Sequence, residues 1–144
     1  MQNELSAGVV IFFKDKELQY LLLNYTENPR SVSKHWDFSK GRVENKEKLE
    51  ETAEREAKEE TNLDVKIIPG FKEKINYEFY TKQAELVKKT VYFFVAEAKT
   101  KDVKLSFEHY GYKWLNYSEA LNLITFDNAK DLLEKVDGFL ASRP

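Results

Sequence analysis

The sequence predicts an α+β fold in which a set of strands is layered against a few helices. Three observations lead to this prediction. Apolar or alternating runs of strand length recur along the chain, segments with helical patterns interrupt them, and one short polar connection indicates an antiparallel hairpin. The chain has 144 residues, of which 42% are hydrophobic and 33% charged. This is enough to bury a core, and we expect residues 1–144 to form one domain.

The first half of the chain predicts a hairpin, a loop and a helix. The apolar run from Ala7 to Phe13 is typical of a buried strand, and Leu18–Tyr25 is its expected partner across residues 14–16. Residues 27–43 carry proline, serines and glycine, which favour a loop. The segment from Lys46 to Thr61 predicts a helix rich in charge.

The second half predicts more strands and two helices. The strand segments are 64–80, 88–100 and 110–117, with a polar loop at 81–87. Ser118 is expected to cap a short helix. Residues 127–141 predict an amphipathic helix with Asp127 as its cap and with Ala129, Leu132, Leu133 and Val136 on its apolar face.

The composition excludes several kinds of site and partner. The net charge of −2 gives no reason to expect duplex DNA as a partner, although a small phosphate-rich ligand would need only a local basic patch. There is no cysteine, which excludes disulfides, thiolate metal sites and cysteine nucleophiles. The apolar run at residues 7–13 is too short to span a membrane and has no basic flank, so we expect no signal peptide and a cytoplasmic location.

The predicted helix 46–61 carries three glutamates close together, Glu56, Glu59 and Glu60. On a helical wheel of about 100° per residue, Glu60 and Glu59 lie roughly 40° and 60° to either side of Glu56, in the direction of the few apolar residues of the helix. A solvated charged face is the simplest interpretation of neighbouring glutamates. Clustered inward carboxylates, however, are costly unless they are neutralised. The cluster therefore predicts a site for Mg²⁺, or for Mn²⁺, because both prefer oxygen ligands.

Arg55 precedes this cluster and could orient one of its glutamates through a bidentate pair. Glu47 is a plausible partner for Arg55, and a solvent-exposed role for Glu47 is equally possible on the sequence.

The spacing of these residues resembles the Nudix box of nucleoside-diphosphate-linked-moiety hydrolases. The matching positions over residues 41–63 are Gly41, Glu47, Arg55, Glu56, Glu59, Glu60 and Leu63. The family usually has glycine where this chain has Asn62, and since asparagine tolerates the left-handed backbone we expect the loop to keep its conformation. The resemblance implies an α/β/α sandwich with a mixed sheet, in which the box forms a loop–helix–loop. It also implies magnesium held by Glu56 and Glu60, with Glu59 nearby, and attack of water on a phosphoanhydride.

Segments outside the box look like asymmetrically cleaving diadenosine tetraphosphate hydrolases. "HWDFSKG" matches the pattern His-Trp-x-x-Pro-Lys-Gly of that group at His35, Trp36, Lys40 and Gly41, with Ser39 in place of proline. "GFKEKINY", "KKTVYFFVAEA" and "FEHYGYKWL" extend the similarity through the second half of the chain.

The resemblance implies a role for each matching residue. His35, Lys40 and Lys89 would contact phosphates, while Tyr77 and Phe126 would stack on an adenine. The catalytic residues would be Arg55, Glu56, Glu59, Glu60 and Glu108, and the metal site would take in Glu56, Glu59, Glu60, Glu108 and Lys40. The general base stays open among Glu56, Glu60 and Glu108, because coupled carboxylates share their protons. Packing is the plain alternative for His35 and the two aromatic residues, and a solvated surface position is the alternative for Lys89.

The predicted activity is metal-dependent hydrolysis of diadenosine tetraphosphate to ATP and AMP. One alternative is a pyrophosphohydrolase acting on RNA 5′-triphosphates, against which the acidic charge balance counts mildly. Another is a nucleotide-binding regulatory module without turnover, against which the intact set of glutamates argues. The expected partner is a nucleotide substrate, with no duplex nucleic acid and no membrane, and the chain is expected to be a monomer or weak dimer.

Overall fold

The computed structural model describes residues 2–25, 35–106 and 109–143, and for His109 and Tyr110 it describes the backbone only. Within these residues the chain forms eight strands and three helices. The strands are β1 (Gln2–Lys14), β2 (Leu18–Tyr25), β3 (His35–Asp37), β4 (Ser39–Arg42), β5 (Val65–Ile67), β6 (Glu73–Tyr80), β7 (Leu86–Ala98) and β8 (His109–Leu115). The helices are α1 (Leu49–Thr61), α2 (Tyr117–Leu123) and α3 (Asp127–Ala141). No helix in the described ranges is long and apolar enough to cross a membrane.

All eight strands belong to one mixed sheet, whose main path runs in the order β3-β2-β1-β7-β5. The long strands β1 and β7 are parallel, from the pair Gln2↔Val87 to the pair Phe12↔Glu97. The remaining pairs are antiparallel. On its other edge β1 pairs with β4 near its start and with β2 near its end, while β6 pairs with β7 and β8 with β2. The strand β4 therefore lies beside the centre of the sheet.

Helices cover both faces of the sheet, which confirms the predicted α+β fold and its α/β/α layering. Alternate residues of β1 enter two cores, because successive side chains of a strand point to opposite faces. Ala7, Val9 and Ile11 pack with α1, whereas Val10 and Phe12 pack with α2 and α3. A continuous apolar run is thus explained by a strand that is buried on both faces.

The first predicted elements are confirmed in type and corrected in extent. The hairpin of β1 and β2 forms with Phe12 opposite Tyr20. The predicted loop 27–43 is wrong in part, since its described portion contains β3 and β4. The helix begins at Leu49 rather than at Lys46, whose φ of 62° is incompatible with a right-handed helix. The backbone N–H of Lys48 instead donates to Glu51 Oε1 at 2.9 Å.

Two later boundaries also differ. The strand β7 begins at Leu86, inside the predicted loop 81–87. The cap of α2 is Asn116 rather than Ser118, because Asn116 Oδ1 accepts the backbone N–H of Glu119 at 2.9 Å. The helix α3 begins at Asp127, so Asp127 lies in its first turn and Phe126 holds the cap position. The apolar face predicted for α3 is buried at Ala129, Leu132, Leu133 and Val136.

Candidate active site

The three clustered glutamates of α1 have different environments. Glu60 is 5% exposed, and the side chain of Glu56 is 16% exposed. The side chain of Glu59 is 57% exposed. The inward direction predicted from the helical wheel is therefore confirmed for Glu56 and Glu60 and wrong for Glu59, which lies at the solvent border of the helix.

Arg55 connects the loop before α1 with two of these glutamates. Its Nε and Nη2 donate to the two oxygens of Glu47 at 2.7 and 3.0 Å, which confirms the predicted pair. Its Nη1 donates to Glu56 Oε1 at 2.9 Å and to Glu59 Oε1 at 3.1 Å. Its Nη2 also reaches the carbonyl oxygen of Arg42 at 3.0 Å. The Arg55 hydrogen bonds hold the pKa of Glu47 at about 2, and those carboxylates raise the pKa of Arg55 further above its ordinary value.

Glu60 is held by donors from β2 and from the segment around β4. The Ser39 hydroxyl donates to Glu60 Oε1 at 2.7 Å, and the backbone N–H of Lys40 donates to the same oxygen at 3.1 Å. Tyr25 Oη lies 3.1 Å from Glu60 Oε2 and 3.0 Å from the carbonyl oxygen of Phe38, and its single proton serves one of them at a time. Burial, with the Glu60 charge adding to it, raises the pKa of Tyr25, so this hydroxyl keeps its proton.

Glu56 lies against the backbone of Gly41. A Cβ added to Gly41 would lie 1.9 Å from Glu56 Cδ, so the close approach requires glycine. Burial raises the pKa of Glu56, the Arg55 hydrogen bond opposes this, and the charge of Glu60 adds to the rise. Glu56 is therefore a partly buried carboxylate whose charged form is disfavoured mainly by burial.

The strand β4 contacts these carboxylates and also lines an open cleft. Three consecutive residues of β4 each contact one charged residue of α1: Lys40 contacts Glu60, Gly41 contacts Glu56, and Arg42 contacts Arg55. The same three residues line a cleft of about 650 Å³. The other lining residues are Tyr25, His35, Asp37, Tyr77, Phe79, Lys89, Phe126 and Asn128.

Two lysines bring positive charge into the cleft. Lys40 Nζ lies 2.9 Å from Asp37 Oδ2 and 4.7 Å from the centre of the Tyr25 ring. Lys89 Nζ lies 5.8 Å from the centre of the Tyr77 ring. Burial lowers the pKa of Lys89, and the charge of Lys40 adds to this effect. A phosphate group beside Lys89 would offset both effects and stabilise its charged form.

Aromatic rings also line the cleft. The His35 ring stacks on Tyr25, with centroids 5.7 Å apart and an angle of 5° between the planes. His35 also contacts Phe126, with centroids 5.4 Å apart and an angle of 56° between the planes. Phe126 is 46% exposed, and burial raises the pKa of Tyr77 to about 12. A planar ligand would thus find exposed aromatic surface beside the lysines.

Comparison with known proteins is consistent with this arrangement. The NUDIX domain family matches residues 3–136. The chain belongs to the NUDIX family. This Nudix hydrolase is 33% identical to the asymmetrical bis(5'-nucleosyl)-tetraphosphatase of Rattus norvegicus, over 96% of this chain and 97% of that protein. It is 34% identical to the Sus scrofa protein of the same name, over 95% of each. A crystal structure of a C. elegans Ap4A hydrolase binary complex matches with a TM-score of 0.82 and 30% identity, over 97% of this chain and 99% of that chain.

The structure of this Nudix hydrolase brings the five predicted substrate-binding residues into one cleft: His35, Lys40, Tyr77, Lys89 and Phe126. Their individual roles stay predictions. The prediction for Glu108 lies outside the described residues. Asn62 has φ 64°, so the left-handed conformation expected where the family has glycine is confirmed.

The carboxylates of α1 do not surround a common point at which a metal ion could bind. In the part of the chain that is described, no group of three His, Cys, Asp or Glu side chains could hold a metal ion. Arg55 Nη1 donates to both Glu56 and Glu59, and Glu60 Oε1 accepts from the Ser39 hydroxyl.

Three residues of the site were missed as contacts from the sequence. No sequence pattern indicated the contacts of Tyr25 and Asp37. Their partners Glu60 and Lys40 are brought to them by strand pairing and side-chain direction. Ser39 did give a signal, since it stands where the related pattern has proline.

Proposed function

We propose that this Nudix hydrolase cleaves diadenosine tetraphosphate asymmetrically into ATP and AMP, using Mg²⁺ or Mn²⁺. The observation that carries the proposal is β4, whose residues contact the carboxylates of α1 and also line a cleft with lysines and aromatic rings. The names of the relatives support the same substrate. We further propose that residues 1–144 act as one catalytic domain in the cytoplasm, as a monomer or weak dimer.

The cleft fits one nucleotide end of this substrate. Its volume of about 650 Å³ lies within the roughly 300–1,000 Å³ of small-molecule pockets. An adenine would stack on Tyr77 and Phe126, since aromatic faces bind bases without needing specific hydrogen bonds. The phosphates would lie toward Lys40 and Lys89, with His35 as a further donor. The second nucleoside would extend out of the cleft.

The donor chemistry of α1 fits a hard divalent cation. Glu56 and Glu60 offer carboxylate oxygens, which a hard divalent cation prefers, and a cation beside the partly buried Glu56 would favour its charged form. We propose Glu56 and Glu60 as the main ligands, with Glu59 and Glu108 completing the site. A bound ion would spread the negative charge that develops on the phosphate and favour a hydroxide-like water. The Lys40 ammonium has no lone pair with which to bind a metal ion. The part of Lys40 in the metal site would instead be its backbone N–H, which donates to Glu60 Oε1 and orients that carboxylate.

The other residues would position groups and move a proton. Arg55 would fix the carboxylate of Glu56, as its hydrogen bond already does. The attacking water must lose a proton, and Glu56, Glu60 and Glu108 are the candidate bases. Lys40 and Lys89 would hold the phosphate chain so that one phosphorus faces the carboxylates.

The test is product analysis with diadenosine tetraphosphate in ¹⁸O-labelled water and Mg²⁺, with a 5′-triphosphate RNA in parallel. We expect ATP and AMP in equal amounts, label in only one of them, and RNA left intact. Two molecules of ADP would exclude asymmetric cleavage. Turnover of RNA alone would assign the enzyme to RNA 5′ ends, and tight nucleotide binding without turnover would indicate a regulatory module.

A further inference from the structure

Ser39 has a contact that a proline at its position could not make. Ser39 is only 3% exposed, and its hydroxyl donates to Glu60 Oε1 at 2.7 Å. Both side chains are buried, so this hydrogen bond is shielded from competing water. The related pattern has proline here, and proline carries no hydroxyl. The bond therefore depends on the particular residue that this chain has in β4.

The bond restricts Glu60 more than a single contact would. Glu60 Oε1 accepts from Ser39 Oγ and from the backbone N–H of Lys40, so two donors converge on one oxygen. The Lys40 donor is fixed by the pairing of β4 with β1. The Ser39 hydrogen bond is short, at 2.7 Å, and its donor is a buried side chain. Together the two donors fix the position of Oε1, while Tyr25 Oη lies 3.1 Å from Oε2, so the rotation of the carboxylate is restricted at both oxygens.

From this we infer that Ser39 is a positioning residue that holds the Glu60 carboxylate ready for the divalent cation. The inference rests on the proposed function, in which Glu60 is a ligand. Groups that hydrogen-bond to a metal ligand reduce the cost of ordering it, and their removal typically weakens metal affinity by about 10–100-fold. Ser39 touches neither substrate nor metal in this scheme, and its effect passes through Glu60.

The test compares Mn²⁺ binding to the full chain, followed by electron paramagnetic resonance, for the wild type and Ser39→Ala. Ser6→Ala is the matched control, because Ser6 is a fully buried serine on the neighbouring β1 whose hydroxyl has no hydrogen-bond partner among the described residues. Ser39→Thr and Ser39→Val form a second pair of equal shape, of which only threonine keeps the hydroxyl. Thermal unfolding of the metal-free proteins is measured alongside.

We expect Ser39→Ala to weaken Mn²⁺ binding by about tenfold, with Ser6→Ala unchanged. Threonine should bind at least several-fold better than valine at the same position. If Ser39→Ala binds Mn²⁺ like the wild type while unfolding at a lower temperature, the hydroxyl is merely structural and the inference is overturned. Equal binding by the threonine and valine variants would overturn it too.

The inference and the proposed function fail in different ways. A wild type that binds Mn²⁺ but leaves diadenosine tetraphosphate uncleaved would refute the substrate, and the binding comparison would still decide the role of Ser39. Cleavage of diadenosine tetraphosphate by a Ser39→Ala variant with unchanged Mn²⁺ affinity would refute the inference and support the function.

Discussion

Replacing Gly41 with alanine tests whether the position of Glu56 controls the reaction. The added Cβ would lie 1.9 Å from Glu56 Cδ and 2.2 Å from Oε1. Carbon atoms in ordinary contact are roughly 3.5 Å or more apart. The carboxylate must therefore move by about 1.5 Å. The backbone of Gly41 has no positive φ, so alanine itself adds no strain there.

Gly41→Ala should lower the stability slightly and the reaction rate strongly. The atoms that meet the new methyl group are the end of a side chain, so the fold can adapt by moving Glu56. The main loss of stability is the hydrogen bond from Arg55 Nη1 to Glu56 Oε1, worth about 1 kcal/mol at this partly exposed site. A displacement of about 1 Å in a catalytic group costs roughly 100-fold in rate. That factor corresponds to about 2.7 kcal/mol of transition-state stabilisation.

The assay measures kcat for diadenosine tetraphosphate together with urea unfolding of Gly41→Ala. Gly138→Ala is the control, since a Cβ on this residue of α3 would meet no atom of the described chain within 4 Å. In a helix, alanine is favoured over glycine by about 0.5–1 kcal/mol, so this control should be more stable and equally active. A well-folded Gly41→Ala enzyme with the wild-type kcat would show that Glu56 does not act from its observed position.

Three further changes test separate parts of the site. Glu60→Gln should leave the fold intact and lower kcat by at least about 100-fold, because it removes a charge that would bind the metal. Tyr77→Ala should raise KM for the dinucleotide by about tenfold, the loss expected for one stacked base, and affect inorganic polyphosphate much less. Glu47→Gln should make the free energy of unfolding fall less steeply as the pH is lowered. Arg55 lowers the pKa of Glu47 from 4.5 to about 2, so its contribution is complete above about pH 4.5 and is lost as the pH falls toward 2.

Each of these changes has its own control and its own refuting result. For Glu60, the exposed Glu54 on the same helix serves as control, and full activity of Glu60→Gln would remove α1 from the metal assignment. For Tyr77, the control is Tyr80, which is 71% exposed at the end of the same strand and outside the cleft. Equal losses for dinucleotide and polyphosphate would reject the adenine role. For Glu47, urea unfolding at about pH 6 and pH 3 should show a smaller difference in the variant than in the wild type, and an equal difference would contradict the linkage.

The layered fold was predictable because the spacing of apolar residues along the chain indicates which side chains are buried. The run Ala7–Phe13 predicts a buried strand, and the structure shows that it is buried on both faces, with alternate residues in two cores. The face of α3 was equally readable at Leu132, Leu133 and Val136. The strands β3 and β4 were not, because they are only three and four residues long. Short strands like these are set by pairing with β1 and β2 rather than by their own sequence.

The helical wheel predicted the inward direction of Glu56 and Glu60, but it could not predict that Glu59 lies at the solvent border. A helical wheel with about 100° per residue places Glu59 and Glu60 on either side of Glu56 and cannot say which flank meets the sheet. The docking of α1 through Ala53 and Ala57 decides this, and it buries Glu60 while leaving Glu59 at the solvent border. Arg55, one turn earlier on the same helix, donates to Glu59 there. The two glutamates differ because of packing that the local sequence does not contain.

The departures from the family pattern are informative in opposite ways. Asn62 replaces glycine and keeps the same left-handed backbone, so here the conformation is preserved while the residue changes. Ser39 replaces proline and adds a donor to Glu60, so here the residue brings a contact that the pattern lacks. The pattern alone treats both as mismatches. The two differ in position: Asn62 lies at a helix terminus, whereas the Ser39 hydroxyl contacts a buried carboxylate. We expect only the Ser39 replacement to change how the site binds its metal.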